Sequence, residues 1–266
     1  MKNLYFKNLK EYLSKDITIE GFVDNIRDLQ YVQFLIVRDS TGKVQVTIEK
    51  NEFNAKLNEI VSNLSVESTI KITGTLVKNE KVKLNGMELI PTEIILTSRC
   101  LEELPLNYKD TESAKIDTRL NYRFLDLRNE KNLLMYKVQT TFINAMRDYV
   151  VKNNFVEIHT PKIISTASES GSEVFELKYF DRKAYLAQSP QFYKQMAMSS
   201  GFEKVFEIAP AFRAEKSNSY RHSTEFNSFD IEISYIESLE ELMDFEENLI
   251  IEGLTKVKQT YDEKVK

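Results

Sequence analysis

The stretch KVFEIAPAFRAEKSNSYRHSTEFNSFDIEISYI, residues 204–236, restricts the fold of this chain more than any other. Phe206, Ile208 and Phe212 fall on one parity of its first arm, with Arg213 and Glu215 on the other. In the second arm Phe229, Ile231, Ile233 and Tyr235 share a face, opposite Asp230, Glu232 and Ser234. Alternation with period two is the pattern of strands buried on one side only. Folded as an antiparallel pair around the polar loop KSNSYRHS, the arms bury one apolar face. The other displays a guanidinium, three carboxylates and, at its tip, Arg221 beside His222. Arg213 and Arg221 are each suited to clamp a phosphate through paired N–H donors. A solvated sandwich face shows the same alternation, so the pattern alone leaves both readings open.

The first hundred residues repeat the period-two signal. Strands are expected at 17–26, 31–39 and 43–49, the last two joined by a turn at Ser40-Thr41-Gly42. Phe53, Leu57, Ile60 and Leu64 are then spaced for a helix over 52–63, and strand patterns return at 69–79 and 88–98. Three strands, a helix and two strands is the order of an OB-fold, a small barrel that commonly binds single-stranded nucleic acid on one face. Any small five-stranded barrel shares the pattern, and Phe34, on the parity of Val32 and Ile36, fits core or surface. Residues 101–120 read as a polar linker. A helix is expected over 130–153, with Leu134, Val138, Phe142 and Tyr149 on one side, followed by a strand at 155–163 ended by Pro161. A second helix is expected from Ser238, with Glu241 completing a capping box.

Composition narrows the function classes. At 266 residues the chain accommodates two domains. Its 36 Lys and Arg against 41 Asp and Glu give a charge of −5, so nucleic-acid binding requires a local surface. Seven glycines include no GxGxxG and no GxxxxGK, which removes the Rossmann fingerprint and the P-loop. One cysteine, Cys100, excludes an internal disulfide, and with His159 and His222 it supplies too few ligands for an ordinary structural zinc site. No signal-peptide pattern and no apolar run near the ~20 residues of a membrane span is present. A cytoplasmic protein without membrane association is expected.

The run FRAE, a short loop, RH, then EF and DIE resembles motif 2 of the class II aminoacyl-tRNA synthetases. The helix ending in FVEIHTPKI resembles motif 1, the dimer-forming element of that family. STASESGSEVF (165–175) followed by YLAQSPQFYKQM (185–196) is similar to the aspartyl-tRNA synthetases, specifically their archaeal-type branch. The resemblance implies an α+β architecture: an OB-fold anticodon-binding domain at 1–100, a linker at 101–120 and an antiparallel-sheet catalytic domain at 121–266. It implies L-aspartate, ATP and tRNA as substrates, Mg2+ as the accompanying ion, and a homodimer through motif 1.

Site residues follow by the same resemblance. Arg213 corresponds to the catalytic arginine bridging the aspartate carboxylate and the α-phosphate. The ATP site comprises Arg213, Ala214, Glu215, Arg221, His222 and Ser223, with Glu215 holding the adenine amino group. The aspartate site comprises Glu169, Gln191, Lys194, Arg213 and Asp230, with Lys194 pairing the side-chain carboxylate and Asp230 orienting a further arginine. In the barrel, Phe34 stacks an anticodon base while Gln45 and Glu88 read base edges.

The sequence departs from the family in one large respect. A glycine-rich GxGxGxxR third motif is absent, as are the acidic magnesium ligands that precede it, so no metal ligand is expected within these residues. Ser223 and Asn227 stand where larger apolar residues are usual. The expectation is a ligase represented by its first part, unable by itself to form aspartyl adenylate. The alternatives are a non-catalytic tRNA-binding or dimerising paralogue and an asparaginyl-tRNA synthetase.

Overall fold

The computed structural model describes residues 4–101, 103–168, 173–216, 219 and 221–262. They form two compact units that divide between Pro105 and Leu106.

The first unit is a closed five-stranded barrel. Its strands are β1 (Asp16–Asp28), β2 (Val32–Arg38), β3 (Lys43–Glu49), β4 (Thr69–Lys78) and β5 (Met87–Ser98), in the order β1-β2-β3-β5-β4. Only β3 and β5 pair in parallel, with Gln45 opposite Glu88. Alternation in the sequence becomes alternation in burial: Ile17, Ile19, Leu35, Val37, Val44, Val46, Ile48, Ile70 and Ile72 point inward and are at most 7% exposed. At Gly74 the ladder between β4 and β5 shifts register, and a Cβ there would lie 2.2 Å from the Ile90 carbonyl oxygen. Only glycine fits that approach.

Helix α1 (Ala55–Ser62) is seated by Gln33, which is fully buried. The Gln33 Nε2 donates to Asp28 at 3.0 Å and Ser62 at 2.9 Å, and its Oε1 accepts from Asn58 at 3.0 Å. Leu57, Ile60 and Leu64 pack on the barrel core, as their spacing predicts. Phe53 does not: it is 97% exposed. It lies in a 3-10 turn, Glu52–Asn54, capped by the Asn51 side chain, so the helical stripe starts after it.

The second unit begins inside the expected linker. Leu106, Tyr108 and Thr111 are buried, and short helices α2 (Ile116–Asn121) and α3 (Arg123–Asp126) follow. The fully buried Asp126 carboxylate is held by Arg119, Arg123 and Asn132. After α4 (Glu130–Lys152), β6 spans only Val156–Glu157 and runs parallel to β10 (Lys204–Phe212), which pairs antiparallel with β11 (Glu225–Ile233). A second small sheet has the order β7-β9-β8, from β7 (Ile163–Ile164), β8 (Glu176–Tyr179) and β9 (Arg182–Leu186). Helices α5 (Gln191–Ser199) and α6 (Leu239–Tyr261) complete the unit. Ser238 caps α6 by accepting from the Glu241 N–H at 3.3 Å.

The core of this unit lies between the apolar face of the β10–β11 hairpin and the α4–α6 pair. Phe206, Ile208, Phe229, Ile231 and Ile233 meet Met146, Val150, Phe155, Phe245 and Leu249. Gly253 lets α6 approach α4: a Cβ there would stand 2.6 Å from the Phe142 ring. The expected strand at 155–163 is therefore two pieces. After Ile158 donates to the Phe206 carbonyl, the next donor, the Thr160 N–H, bonds the Glu207 side chain instead of backbone.

In the barrel, Arg38 is shared by two buried carboxylates. Its Nε lies 3.2 Å from Asp24, and one terminal nitrogen lies 2.7 Å from both oxygens of Glu67. Arg38→Met removes the cation that Asp24 and Glu67 share, leaving Asp24 with Lys43 at 3.7 Å, and the expected loss is about 3–5 kcal/mol in urea unfolding. A shift of the barrel transition by less than about 1 kcal/mol, the surface-pair range, would contradict this. Hydrogen bonds from Lys50, then Gln33, hold the Asp28 carboxyl below its ordinary 3.8. Its contribution is thus complete above pH 3.8 and lost as pH falls through the lowered folded value. The Asp28→Asn penalty should vanish along the same descent in an acid unfolding series.

Candidate functional site

The register of β10 and β11 builds the polar face. Glu207 stands opposite Asp230, Val205 opposite Glu232 and Ala209 opposite Ser228. These pairs share one face, because directly opposed residues point the same way. Arg213 continues the parity of Glu207 just beyond the strand.

Arg213 is held on three sides. Its N–H donates to the Thr224 carbonyl at 3.0 Å, and its guanidinium carbon lies 5.4 Å from the centroid of the Phe226 ring. Its neighbour Ala214 donates to the Glu173 carbonyl at 2.9 Å. The Nε atom of Arg213 is buried and has no acceptor among the described residues. Buried donors almost always find a partner, so an open one marks a place for an incoming oxygen. Glu215 is half-buried beside it. Lys216 reaches Glu173 at 2.9 Å, and that hydrogen bond raises its pKa above the ordinary 10.5. In the loop, the His222 Nδ1 and Ser219 hydroxyl lie 2.6 Å apart, while Arg221, His222 and Ser223 are exposed.

Helix α5 lies against β10 and β11 and carries Lys194 onto the polar face. Lys194 is 5% exposed, and its ammonium sits 3.3 Å from Asp230, 3.3 Å from Glu232 and 3.2 Å from the Ile231 carbonyl. Gln191 opens the same helix, its N–H donating to the Ser189 hydroxyl at 3.3 Å. Glu169 lies outside the described residues. Lys194, Arg213 and Asp230 thus belong to one surface, on which Asp230 pairs with Lys194.

Sequence reasoning missed Glu207, 2% exposed on this face. It accepts from the Thr160 N–H at 2.7 Å, the Thr160 hydroxyl at 2.8 Å and the Lys162 ammonium at 3.0 Å to each oxygen. Its parity with Arg213 was the available signal. Gln188, fully buried, accepts from the Ser168 N–H at 3.1 Å and was also missed.

On the barrel, Gln33, Leu35 and Val37 take the inward parity, so Phe34 faces outward, between Arg27 on β1 and Thr47 on β3. Gln45 is cross-strand from Glu88, and its Nε2 donates to that carboxylate at 3.3 Å. Glu88, 8% exposed, also accepts from the Thr47 hydroxyl and, at 2.7 Å, from Asn79. Phe34, Gln45 and Glu88 therefore share one outer face.

Lys194→Met leaves Asp230 and Glu232 side by side without their cation. We expect a loss of about 2–4 kcal/mol in the unfolding of the second unit, less than a fully buried pair because both acids are partly exposed. Asp230→Asn in that background should recover part of the loss; a double-mutant cycle with no coupling would contradict the arrangement.

Comparison with known proteins bears on both units. The family described as tRNA synthetases class II (D, K and N) matches residues 115–265, and the OB-fold nucleic acid binding domain matches residues 17–97. The chain is 41% identical over 267 residues to the aspartate–tRNA(Asp) ligase of Pyrococcus abyssi, covering 100% of this chain and 61% of that one. It is 43% identical over 245 residues to the aspartate–tRNA(Asp/Asn) ligase of Methanopyrus kandleri, covering 92% and 57%. Among solved structures, asparaginyl-tRNA synthetase from Pyrococcus horikoshii with asparaginyl-adenylate matches with a TM-score of 0.89 at 32% identity, covering 97% of this chain and 58% of that one. Aspartyl-tRNA synthetase from Entamoeba histolytica matches with a TM-score of 0.80 at 30% identity, covering 99% and 56%. The chain spans about three-fifths of the length of the Pyrococcus abyssi relative.

Proposed function

The chain belongs to the class II tRNA synthetases of the D, K and N group, and from that premise we propose that it serves aspartate–tRNA ligation. In that reaction the aspartate α-carboxylate attacks the α-phosphorus of ATP, and the aspartyl group then passes to the terminal ribose of tRNA. The nucleophile is already ionised at neutral pH, so no general base is required. Two anions must be brought together in line, which makes positioning and charge neutralisation the main tasks.

The observation that carries the proposal is the polar face itself. Lys194 offers a buried ammonium 3.3 Å from two carboxylates, and Arg213 offers a buried Nε–H without an acceptor among the described residues. The first suits an anionic amino-acid side chain, the second the carboxylate or phosphate oxygen of the reacting pair. Gln191 and Glu169 would contribute to the amino-acid site, and Ala214, Glu215, Arg221, His222 and Ser223 to the ATP site. The outward set Phe34, Gln45 and Glu88 would receive the anticodon.

Asparagine ligation is the competing reading, favoured by the TM-score of 0.89 to the asparaginyl enzyme. Against it stands the Lys194 ammonium, which an amide gains little from, and the aspartate ligases at 41–43% identity. Among the described residues no three His, Cys, Asp or Glu side chains converge as a metal site, so no magnesium ligand is assigned and no step is derived through the ion. No helix among the described residues is long and apolar enough to cross a membrane. A homodimer through α4 and β6 and a cytoplasmic site of action complete the proposal.

The amino-acid site is tested by calorimetry with the non-hydrolysable sulfamoyl analogues of aspartyl and asparaginyl adenylate. The chain should prefer the aspartyl analogue, and Arg213→Ala should weaken it by roughly tenfold or more, the loss of a charge-assisted bond. Preference for the asparaginyl analogue would overturn the reading. The barrel is tested by binding of a transcript of tRNA for aspartate. Phe34→Ala should cost about 1–3 kcal/mol, one base stack; unchanged affinity would remove the barrel face from the proposal.

A further inference from the structure

Three carboxylates share the polar face of the β10–β11 hairpin, and the structure divides them between two ammonium groups. Lys194 takes Asp230 and Glu232, each at 3.3 Å. Lys162 takes Glu207, at 3.0 Å to both oxygens. Glu207 and Asp230 are direct cross-strand partners, with Cβ atoms about 4.5–5.5 Å apart by strand geometry. At that separation one carboxylate feels the charge of the other strongly, and Glu207, 2% exposed, has little water to screen it.

Lys162 comes from neither the hairpin nor α5. It follows Pro161, and its backbone carbonyl accepts from the Ala187 N–H at 2.9 Å, which ties it to the end of β9. Its ammonium is spent on Glu207 and on the Thr160 hydroxyl at 2.7 Å. Without that charge, Glu207 stays buried beside Asp230 with only the Thr160 N–H and hydroxyl as donors, and among the described residues the ammonium left on the face is Lys194, which already answers two acids. A further carboxylate brought by a substrate would then meet three acids answered by one ammonium in place of two. A neutral amide in the same place carries no charge to be repelled.

We propose that Lys162 is a specificity-determining residue for an anionic amino-acid side chain. By neutralising Glu207 it keeps Lys194 available to the substrate carboxylate, acting through Glu207 and touching no substrate itself. The inference rests on the reading of an aspartate site given above and adds to it the residue that sets the charge balance.

The test uses the full chain and the aspartyl and asparaginyl sulfamoyl adenylate analogues, titrated by calorimetry, with thermal unfolding followed alongside. Lys162→Met should weaken the aspartyl analogue roughly tenfold while the asparaginyl analogue changes less than about twofold. Lys162→Arg should bind both as the wild type does. Lys162→Met combined with Glu207→Gln removes both buried charges and should restore the aspartyl analogue to within about threefold of wild type. That double variant also carries the comparison if Lys162→Met alone does not fold. Equal losses for the two analogues, or a folded double variant as weak as the single one, would overturn the proposal while leaving the aspartate site standing. A wild-type chain that binds neither analogue would overturn the aspartate site and this inference together.

Discussion

The pairing of β10 with β11 is the constraint on which the second unit depends. Side chains alternate along a strand, so a single choice of register sorts every residue of both arms. With Phe206 opposite Ile231 and Ile208 opposite Phe229, five large apolar side chains turn toward α4 and α6. Glu207, Asp230 and Glu232 must then turn the other way. A slip of one residue would place the carboxylates in the core and the aromatics on the polar face. Hydrophobic burial, at about 25 cal/mol per Å² of apolar surface, thus fixes the positions of charges it does not touch.

Those charges are tolerable only because each finds a partner. An isolated buried carboxylate costs several kcal/mol, and removing one member of a buried pair exposes that cost. Asp126 under Arg119 and Arg123, Glu207 under Lys162 and Thr160, and Asp24 and Glu67 around Arg38 all follow this rule. Such pairs add little net stability over an apolar core, but they resist rearrangement. Arg213 differs from them: among the described residues its buried Nε–H has no acceptor.

Much of this was legible in the residues. Period-two alternation located the barrel strands and both arms of the hairpin, because half-buried strands record their environment in every second side chain. Parity alone could not say whether Phe34 faced core or solvent; the answer lay in its neighbours, since buried Gln33, Leu35 and Val37 occupy the inward set. Phe53 was misread because a 3-10 turn placed it one element too early for the helical stripe. The strand at 155–163 was overextended because Thr160 bonds a side chain from a residue 47 positions away. No local pattern encodes such a contact, and the pairing of Lys162 with Glu207 is hidden from the sequence for the same reason. Residues 106–119 looked like linker because their few buried side chains, Leu106, Tyr108 and Thr111, follow no period.

Both candidate surfaces share a physical arrangement. Glu88 on the barrel is held by Gln45, Thr47 and Asn79, and Asp230 and Glu232 are held by Lys194. A ligand that uses these groups must exchange with internal partners instead of filling open valences. Exchange returns little affinity, because a bond is lost for each one gained. It returns selectivity, because a ligand lacking the right donor or charge breaks the internal bond and replaces it with nothing. On the proposed function, a base that cannot donate to Glu88 or a side chain that cannot answer Lys194 would therefore leave a desolvated charge behind. The same physics that makes the acids expensive to bury makes them discriminating to approach, and in the hairpin that discrimination depends on a lysine outside the face it protects.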